Sequence, residues 1–138
     1  MAFEESIHFV VTGAMTNLAI LLKAFPRLLK KIATITIMGG AVGVGNWTPA
    51  AEFNIAIDPE AASIVFNCGI KVVMVPLHVT RTVQVREHFY EALKEFKSSF
   101  ALKIHDLFKY FELKCKENRD LDYAVAHDPC TIYFLLHP

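Results

Sequence analysis

The sequence predicts an α/β fold built on an open, mainly parallel sheet that is flanked by helices. Short apolar runs end at glycine or proline, and segments with helical periodicity lie between them. This alternation is typical of right-handed βαβ units, which form a Rossmann-like sheet. The 138 residues suffice for one domain with a single core. We predict a βαβαβ core in residues 1–82, an amphipathic helical segment in 83–120 and a final segment in 121–138.

The first half of the predicted core contains two strands with a helix between them. Residues 7–11 form a short apolar run that stops at Thr12-Gly13, as a buried strand would. Residues 14–25 place three leucines and a phenylalanine on one face at helical spacing, and Pro26 disfavours helical geometry in the residue before it. Residues 32–38 are rich in β-branched side chains and end at a glycine pair, which predicts the second strand.

A glycine-rich loop separates this half from the next helix and strand. Asp58-Pro59 predicts a helix start, with an acceptor side chain at the cap and proline in the first turn. We expect that helix to reach about Asn67 and to close at Gly69. Residues 72–75 are wholly apolar, which is typical of a parallel strand covered on both faces.

The third quarter of the chain carries an apolar stripe with lysines and glutamates between its members. The stripe consists of Val85, Phe89, Leu93, Phe96, Phe100, Ile104, Leu107 and Phe111. One long amphipathic helix, or two broken near Ser98-Ser99, explains the spacing. We interpret the stripe as a packing face, with a coiled-coil partner surface as the alternative. Residues 117–120 then read as a polar linker, and Asp128-Pro129 is expected to cap a final helix.

Composition excludes several classes of protein. Fourteen basic residues balance fourteen acidic ones, so nothing attracts nucleic acid or an anionic membrane in general. Three cysteines without CxxC spacing favour reduced, buried thiols in a cytoplasmic protein over a disulfide framework. The first eight residues lack the pattern of a signal peptide, and the longest uncharged stretch, 32–51, holds four glycines and a proline, which argues against a membrane helix.

The loop of residues 38–54 leaves the carboxyl end of a predicted parallel strand, where open α/β sheets build ligand sites. Its glycines suggest phosphate or dinucleotide binding only weakly, because no GxxxxGK[ST] motif is present. Glu52 and Asn54 would point to one side of an extended segment. Together with Asn46 they could bind the hydroxyl groups of a small ring. Turn and cap chemistry explains the same residues equally well.

Two further segments carry candidate chemistry. His127-Asp128 combines a proton donor near neutral pH with a ligand for a hard cation, although Asp128 is also explained as a helix cap. Thr12 ends the first predicted strand, where its backbone carbonyl could face a ligand. From chemistry alone, a strand-to-helix turn capped by Thr16 explains this second segment better.

Taken together, these segments resemble the inosine–uridine-preferring nucleoside hydrolase family. The matching motifs are TGAMTN at 12–17, MGG at 38–40, GNWTPAAEFN at 45–54, DPEAA at 58–62 and HDP at 127–129. The resemblance covers nearly the whole chain, is weakest in residues 83–126, and is most specific from AEFN to DPEAA.

The resemblance implies an activity and a role for each candidate residue. The family cleaves the N-glycosidic bond of ribonucleosides through an oxocarbenium-like sugar, with calcium gripping two ribose hydroxyls and the attacking water. By this match the Thr12 carbonyl and the Asp128 carboxylate would bind calcium, and His127 would protonate the leaving base. Ribose would be bound by four residues, Met38, Asn46, Glu52 and Asn54.

The sequence also departs from the family pattern. It contains no DxDxxxDD cluster, which in the family supplies the other calcium carboxylates and the general base. The resemblance therefore implies a truncated member with an incomplete sheet and weak calcium binding. Ala14 stands where proline is frequent, and His78 stands where an acidic residue is usual.

Three hypotheses follow. The first is hydrolysis of purine ribonucleosides, uridine or both, with little or no activity expected from this chain alone. The second is a non-catalytic fragment or regulatory partner that pairs with a full-length nucleoside hydrolase through a sheet edge or the apolar stripe. The third is a chain that does not fold stably. A small-molecule ribonucleoside is the expected partner, and a homo-oligomer is compatible with the sequence.

Overall fold

The computed structural model describes residues 6–119 and 122–138, which form two compact units. The sheet unit comprises the described part of Met1–Thr80 together with His127–Pro138, and the helical unit comprises the described part of Arg81–Ala126. The segment 121–138, grouped as one in the sequence prediction, is divided between these units.

The elements follow one another along the chain in this order. They are β1 (Ile7–Val11), α1 (Thr16–Ala24), a 3-10 helix (Pro26–Lys31), β2 (Ile32–Met38), α2 (Phe53–Ala56), α3 (Pro59–Phe66), β3 (Lys71–Val75), α4 (Leu77–Thr80), β4 (Gln84–Val85), α5 (Glu87–Glu95), α6 (Ser99–Arg119), β5 (Ala124–Val125) and α7 (Pro129–Leu136). Elements β4, α5, α6 and β5 belong to the helical unit, and the others belong to the sheet unit.

The sheet unit confirms the predicted α/β fold. Strands β1, β2 and β3 are parallel, with β2 in the centre. Ile35 and Ile37 of β2 are fully buried and share a core with Leu18 of α1 and Val65 of α3. Burying an aliphatic side chain of this size contributes about 2 kcal/mol of transfer free energy. The core thus fixes β2, and with it the loop that follows β2.

Several helix boundaries lie where local chemistry predicts them. Helix α1 ends at Ala24, and a 3-10 helix starts at Pro26. Asp58 caps α3, since its Oδ1 accepts a hydrogen bond from the Ala61 amide at 3.0 Å. Gly69 has φ of +81°, the left-handed conformation expected of a residue that closes a helix.

Two local predictions in the sheet unit are wrong. Thr16 does not cap α1, because the cap position is Met15 and no side chain bonds there. Thr16 lies inside the helix instead, and its hydroxyl donates to Oδ2 of Asp58, which links α1 to the start of α3. Strand β3 is not covered on both faces, because Met74 is 40% exposed.

The contact between Thr16 and Asp58 predicts a pH effect. The hydrogen bond from Thr16, followed by that from the Ala61 amide, lowers the pKa of Asp58 below its ordinary value. A lowered folded-state pKa stabilises the fold above the unfolded value of about 4, and this contribution disappears as the pH falls through the folded value. We expect Thr16→Val to raise the pKa of Asp58 and to shrink the loss of stability between pH 6 and pH 3.

This expectation is measured by NMR titration of the Asp58 carboxyl carbon and by urea unfolding at both pH values. Asp58→Asn provides the control background, in which Thr16→Val should no longer alter the pH dependence. An unchanged Asp58 titration in the Thr16→Val variant would contradict the expectation.

The helical unit contains two helices, the second of the two predicted arrangements. Helix α5 ends at Glu95 and α6 begins at Ser99, with Lys97 between them at a positive φ of 46°. The prediction of a polar linker is wrong for residues 117–119, because α6 continues to Arg119; Asp120 lies outside the described residues.

The apolar stripe only partly packs. Val85 is buried and Phe89 packs against it, but Phe96 and Phe100 are 74% and 71% exposed. Leu107 and Phe111 are also exposed, so the packing-face interpretation is wrong for these four of the eight residues of the stripe. Side chains three or four residues apart share a helix face, but that spacing does not provide a partner for the face.

The centre of the helical unit is Tyr90, which did not belong to the predicted stripe. Tyr90 is 1% exposed and its hydroxyl donates to Glu112 at 2.7 Å. Lys109 Nζ lies 3.8 Å from the centre of the Tyr90 ring. Burial, and then the hydrogen bond to Glu112, raises the pKa of Tyr90. This polar cluster around the buried Tyr90 ring joins α5 to α6.

The last helix starts where it was predicted but without the predicted cap. Asp128 precedes α7 with helical φ and ψ of −66° and −39°, and its side chain accepts no capping hydrogen bond. Thr131 instead donates its hydroxyl to the Asp128 carbonyl at 2.6 Å. The Asp128 carboxylate is therefore not used by its own helix. Among the described residues no helix is both long and apolar enough to span a bilayer.

Candidate functional site

The carboxyl edge of the sheet is held together by backbone hydrogen bonds. After β2, the Gly39 amide donates to the Val75 carbonyl at 3.3 Å, and the Gly40 carbonyl accepts from the Leu77 amide at 3.0 Å. Gly40 has φ of +77°, and a Cβ there would lie 2.7 Å from the sulfur of Met74. Glycine is therefore required where the ends of β2 and β3 meet.

The loop after β2 closes on itself before α2. The Ala51 carbonyl accepts from the amides of Asn46 and Trp47, both at 3.0 Å, and the Gly45 amide donates to the Pro49 carbonyl at 2.9 Å. These bonds satisfy backbone groups that would be paired in a helix or sheet but have no regular partners in an irregular segment. They fold the chain back so that the next residues return to the edge of the sheet.

Glu52 joins this loop to the end of β2. Its side chain is 3% exposed, and its carboxylate accepts hydrogen bonds from the amides of Asn54 at 2.9 Å, Gly40 at 3.0 Å and Ile55 at 3.2 Å. The same carboxylate is thus the N-cap of α2. A carboxylate offers about four acceptor positions, so one is left after these three bonds.

The amide side chains of the loop also bind the backbone. Asn54 is 8% exposed and donates its Nδ2 to the Met38 carbonyl at 3.0 Å. Its Oδ1 has no hydrogen-bond partner within residues 6–119 and 122–138. Asn46 is exposed, and its Oδ1 accepts from the Phe53 amide at 2.8 Å.

The extended segment expected at Glu52 and Asn54 is absent, because α2 begins at Phe53. Both polar side chains are nevertheless buried, and Phe53 between them is 42% exposed. Cap chemistry, which the sequence left open, accounts for the bonds that Glu52 accepts from the Asn54 and Ile55 amides. The bonds from the Gly40 amide to Glu52 and from the Phe53 amide to Asn46 instead connect more distant parts of the loop. The Oδ1 of Asn54, which has no partner among the described residues, remains available to accept a hydrogen bond from a ligand.

His127 lies beside the short helix that follows β3. Its Nδ1 is 2.7 Å from Oγ1 of Thr80, which is fully buried at the end of α4. The same Oγ1 lies 3.4 Å from the Leu77 carbonyl. Thr80 was missed in the sequence, where PLHVT after the third strand is a short segment with no chemical motif of its own.

Asp128 interacts with groups from both motifs. Although the residue is exposed as a whole, partial burial of its carboxyl group raises its pKa, and the negative charge of Glu52 adds to that rise while His127 opposes it. Helix α7 also packs beside β2. The loop motif and the His-Asp motif therefore lie close to each other within the sheet unit.

Thr12 and Asp128 were the predicted calcium ligands. Thr12 follows β1 and is exposed, so it lies at the same carboxyl edge of the parallel sheet as Met38. In the part of the chain that the structure describes, however, no three His, Cys, Asp or Glu side chains are arranged to hold a metal ion. The carboxylates that calcium prefers are too few here, so these residues do not by themselves fit a calcium site.

Sequence comparison places the chain among nucleoside hydrolases. Residues 1–138 match the family described as inosine-uridine preferring nucleoside hydrolase. The chain is 46% identical over 136 residues to the pyrimidine-specific ribonucleoside hydrolase RihA of Enterobacter sp. (strain 638). It is 48% identical over 136 residues to the protein of that name from Escherichia coli O1:K1 / APEC. Each match covers 98% of this chain and 44% of the relative.

Solved structures agree with the sequence relatives. A plant nucleoside hydrolase, the PpNRh1 enzyme, superimposes with a TM-score of 0.82 at 36% identity, covering 91% of this chain and 40% of that one. The purine-preferring ribonucleoside hydrolase from Gardnerella vaginalis gives a TM-score of 0.84 at 30% identity, covering 95% and 42%. The chain spans less than half the length of these relatives. It belongs to the inosine-uridine preferring nucleoside hydrolase family.

Proposed function

We propose that this chain carries the part of a nucleoside hydrolase that seats ribose and protonates the leaving base. Its reaction would be hydrolysis of the N-glycosidic bond of a ribonucleoside to free base and ribose. The observation that carries the proposal is a series of hydrogen bonds between the two motifs. His127 contacts Thr80 of α4 at 2.7 Å, the Leu77 amide of α4 donates to the Gly40 carbonyl at 3.0 Å, and the Gly40 amide donates to Glu52 at 3.0 Å. Groups from the two motifs, which are more than seventy residues apart in sequence, thereby belong to one site.

The loop after β2 supplies the groups that would bind ribose. Asn54 uses its Nδ2 on the Met38 carbonyl, which leaves Oδ1 able to accept from a sugar hydroxyl. Glu52 retains one acceptor position beside it. Asn46 would contact the sugar from the exposed part of the loop, and Met38 would line the pocket. The network of backbone bonds holds these acceptors in place before substrate arrives, which reduces the entropy lost on binding.

His127 would act on the leaving base. As the bond between C1′ and the base nitrogen breaks, its electron pair moves to the base, and His127 gives that base a proton. A water oxygen forms the new bond to C1′ and loses its proton to a carboxylate base. The resemblance assigns that base to the aspartate cluster, which the 138-residue sequence does not contain.

We infer a pyrimidine ribonucleoside such as uridine as the preferred substrate. The support is the higher identity, 46–48%, to relatives named pyrimidine-specific, against 30% to the neighbour named purine-preferring. Calcium would be the metal, with the Thr12 carbonyl and the Asp128 carboxylate as two of its ligands. With so few ligands we expect a dissociation constant of about a millimolar or weaker.

The test is release of free base from uridine, cytidine and inosine by the folded 138-residue chain, with and without added calcium. We expect slow release that is fastest with the pyrimidine nucleosides. His127→Ala should lower kcat by about 100-fold or more, the usual contribution of a general acid. His88→Ala is the matched control, because His88 is exposed on α5, and it should leave the rate unchanged.

Two outcomes would overturn parts of this proposal. If the folded, calcium-supplied chain releases no base from any of the nucleosides, catalysis by this chain is ruled out. If base is released but His127→Ala and His88→Ala behave alike, the leaving-group role of His127 is wrong.

A second candidate function is a non-catalytic partner of a full-length nucleoside hydrolase. The observation that favours it is exposed apolar surface on the helical unit, where Phe96, Phe100 and Leu107 are each more than 60% exposed. Size-exclusion chromatography of the chain mixed with a full-length relative tests it, with Phe100→Ser as the variant expected to weaken co-elution. The chain run alone reports whether it forms a homo-oligomer. Two separate peaks in the mixture would count against the partner role.

We also infer a cytoplasmic location. Its support is that Cys68, Cys115 and Cys130 are thiols and not disulfides. Cys115 is buried as expected, and the other two are half-buried.

A further inference from the structure

We propose that Thr80 is a positioning residue for His127, which makes Nε2 the ring nitrogen that donates a proton to the leaving base. This inference rests on the proposed role of His127. It starts from the 2.7 Å contact between Thr80 Oγ1 and His127 Nδ1, two groups that lie 47 residues apart in the chain. Thr80 belongs neither to the motifs predicted from the sequence nor to the loop of residues 38–54.

Thr80 is placed so that its hydroxyl has little freedom. Its side chain is fully buried, and its amide donates to the Pro76 carbonyl at 3.1 Å. Helix α4, which carries it, is joined to the end of β2 by the bond from the Leu77 amide to the Gly40 carbonyl. A buried side chain on an anchored backbone can fix the orientation of a partner ring more firmly than an exposed one.

The Thr80 hydroxyl can form a hydrogen bond with Nδ1 of His127 whether or not Nδ1 carries a proton. If Nδ1 is unprotonated, the Thr80 hydroxyl donates to it, and the ring proton lies on Nε2. If Nδ1 carries a proton, it donates to Oγ1, and the hydroxyl proton can turn to the Leu77 carbonyl at 3.4 Å. In both arrangements Nδ1 is engaged by Thr80. As a proton donor the ring is an imidazolium whose Nδ1–H donates to Oγ1, so Nε2 gives its proton to the leaving base and a neutral ring with its proton on Nδ1 remains.

One residue, Gly40, connects Thr80 and its helix to the sugar-binding loop. The Gly40 amide donates to Oε2 of Glu52, and the Gly40 carbonyl accepts from the Leu77 amide at the start of α4. The proposed ribose acceptors and the residue that orients His127 are thus attached to opposite sides of the same backbone position. Their relative placement depends on few soft torsions, as the alignment of a proton donor with the glycosidic nitrogen requires.

The test compares Thr80→Val, which removes the hydroxyl at nearly constant volume, with Thr80→Ser, which keeps it. The ring nitrogen shifts of His127 are measured by ¹H–¹⁵N NMR at fixed pH in the 138-residue chain, together with kcat and KM for base release. We expect Thr80→Val to shift the Nδ1 signal of His127, because the hydrogen bond at Nδ1 is lost, and to lower kcat by about 10- to 100-fold, the usual effect of losing an orienting partner. KM should stay within about twofold, as expected when ground-state binding is retained.

Thr80→Ser should restore both the ring signals and kcat. Thr36→Val is the control, because Thr36 is another buried threonine of the sheet unit and its hydroxyl has no partner among the described residues. It should alter neither readout. If the Thr80→Val variant is unfolded under the conditions of the measurement, Thr80→Ala is measured in the same way.

Unchanged His127 ring signals in a folded Thr80 variant without the hydroxyl would overturn the inference. So would a loss of kcat that serine fails to restore. If the wild-type chain releases no base, the proposed function fails, but the ring signals still decide whether the Thr80 hydroxyl holds Nδ1 of His127.

Discussion

Replacing Glu52 by alanine should lower the free energy of unfolding by about 3 kcal/mol or more. Three backbone amides, those of Gly40, Asn54 and Ile55, donate to its buried carboxylate. Each donor left without an acceptor costs about 1–3 kcal/mol, and water entering the vacated space offsets part of the total. The loss would also detach the N-terminus of α2 from the end of β2. Both the fold and the proposed sugar site therefore depend on this one side chain.

Urea unfolding followed by circular dichroism measures the effect. Glu60→Ala is the matched control, because Glu60 is exposed in the first turn of α3, where a single charge contributes only about 0.5 kcal/mol. Glu52→Gln should fall between wild type and Glu52→Ala, since an amide keeps one of the two acceptor oxygens. A Glu52→Ala variant as stable as Glu60→Ala would show that these backbone amides find other acceptors.

Replacing Gly45 by alanine should open the loop before α2 at a cost of about 3 kcal/mol, in the upper range for overpacking. A Cβ at this buried position would lie 2.2 Å from the Ala51 carbonyl oxygen and 2.5 Å from that of Thr48. Both atoms belong to the backbone, so no change of rotamer relieves the clash. The loop must move, and the bonds from Gly45 to Pro49 and from Asn46 to Ala51 are lost as it does.

The single tryptophan of the chain reports this change directly. Trp47 lies in the loop with its ring 5.2 Å from that of Phe53, so its fluorescence should shift when the loop opens. Gly13→Ala is the control, because a Cβ at Gly13 meets no atom within 4 Å. If Gly45→Ala kept both the emission spectrum and the stability of Gly13→Ala, the described loop conformation would be incorrect.

Local chemistry was sufficient to predict most of the sheet unit. Strand β2 has the predicted bounds because β-branched residues end at a glycine pair, and α3 starts at Asp58-Pro59 because a cap and a proline act within one turn. The same reasoning failed at Thr16, whose hydroxyl found an acceptor 42 residues away in place of its own helix end. A prediction from neighbouring residues cannot anticipate a competing partner from another helix.

The candidate site could likewise be predicted only in part from the sequence. Its loop could be located from the sequence because ligand loops follow the carboxyl ends of parallel strands, and its polar residues could be named by their resemblance to a family. The sequence left open whether Glu52 and Asn46 serve the fold or a ligand. Their hydrogen bonds to backbone amides now establish the first of these roles.

The sequence by itself determined the three parallel strands, the helix start at Asp58-Pro59 and the family that the chain resembles, because these depend on residue types at short, fixed spacing. Only the tertiary structure decided that Thr80 contacts His127, that Glu52 is enclosed by three amides, and that half of the stripe on α5 and α6 is exposed. Those facts depend on how distant segments meet in space. A hydrogen bond needs donor and acceptor within about 3.5 Å, and burial needs neighbouring segments that cover the side chain. Periodicity along the chain specifies neither of these.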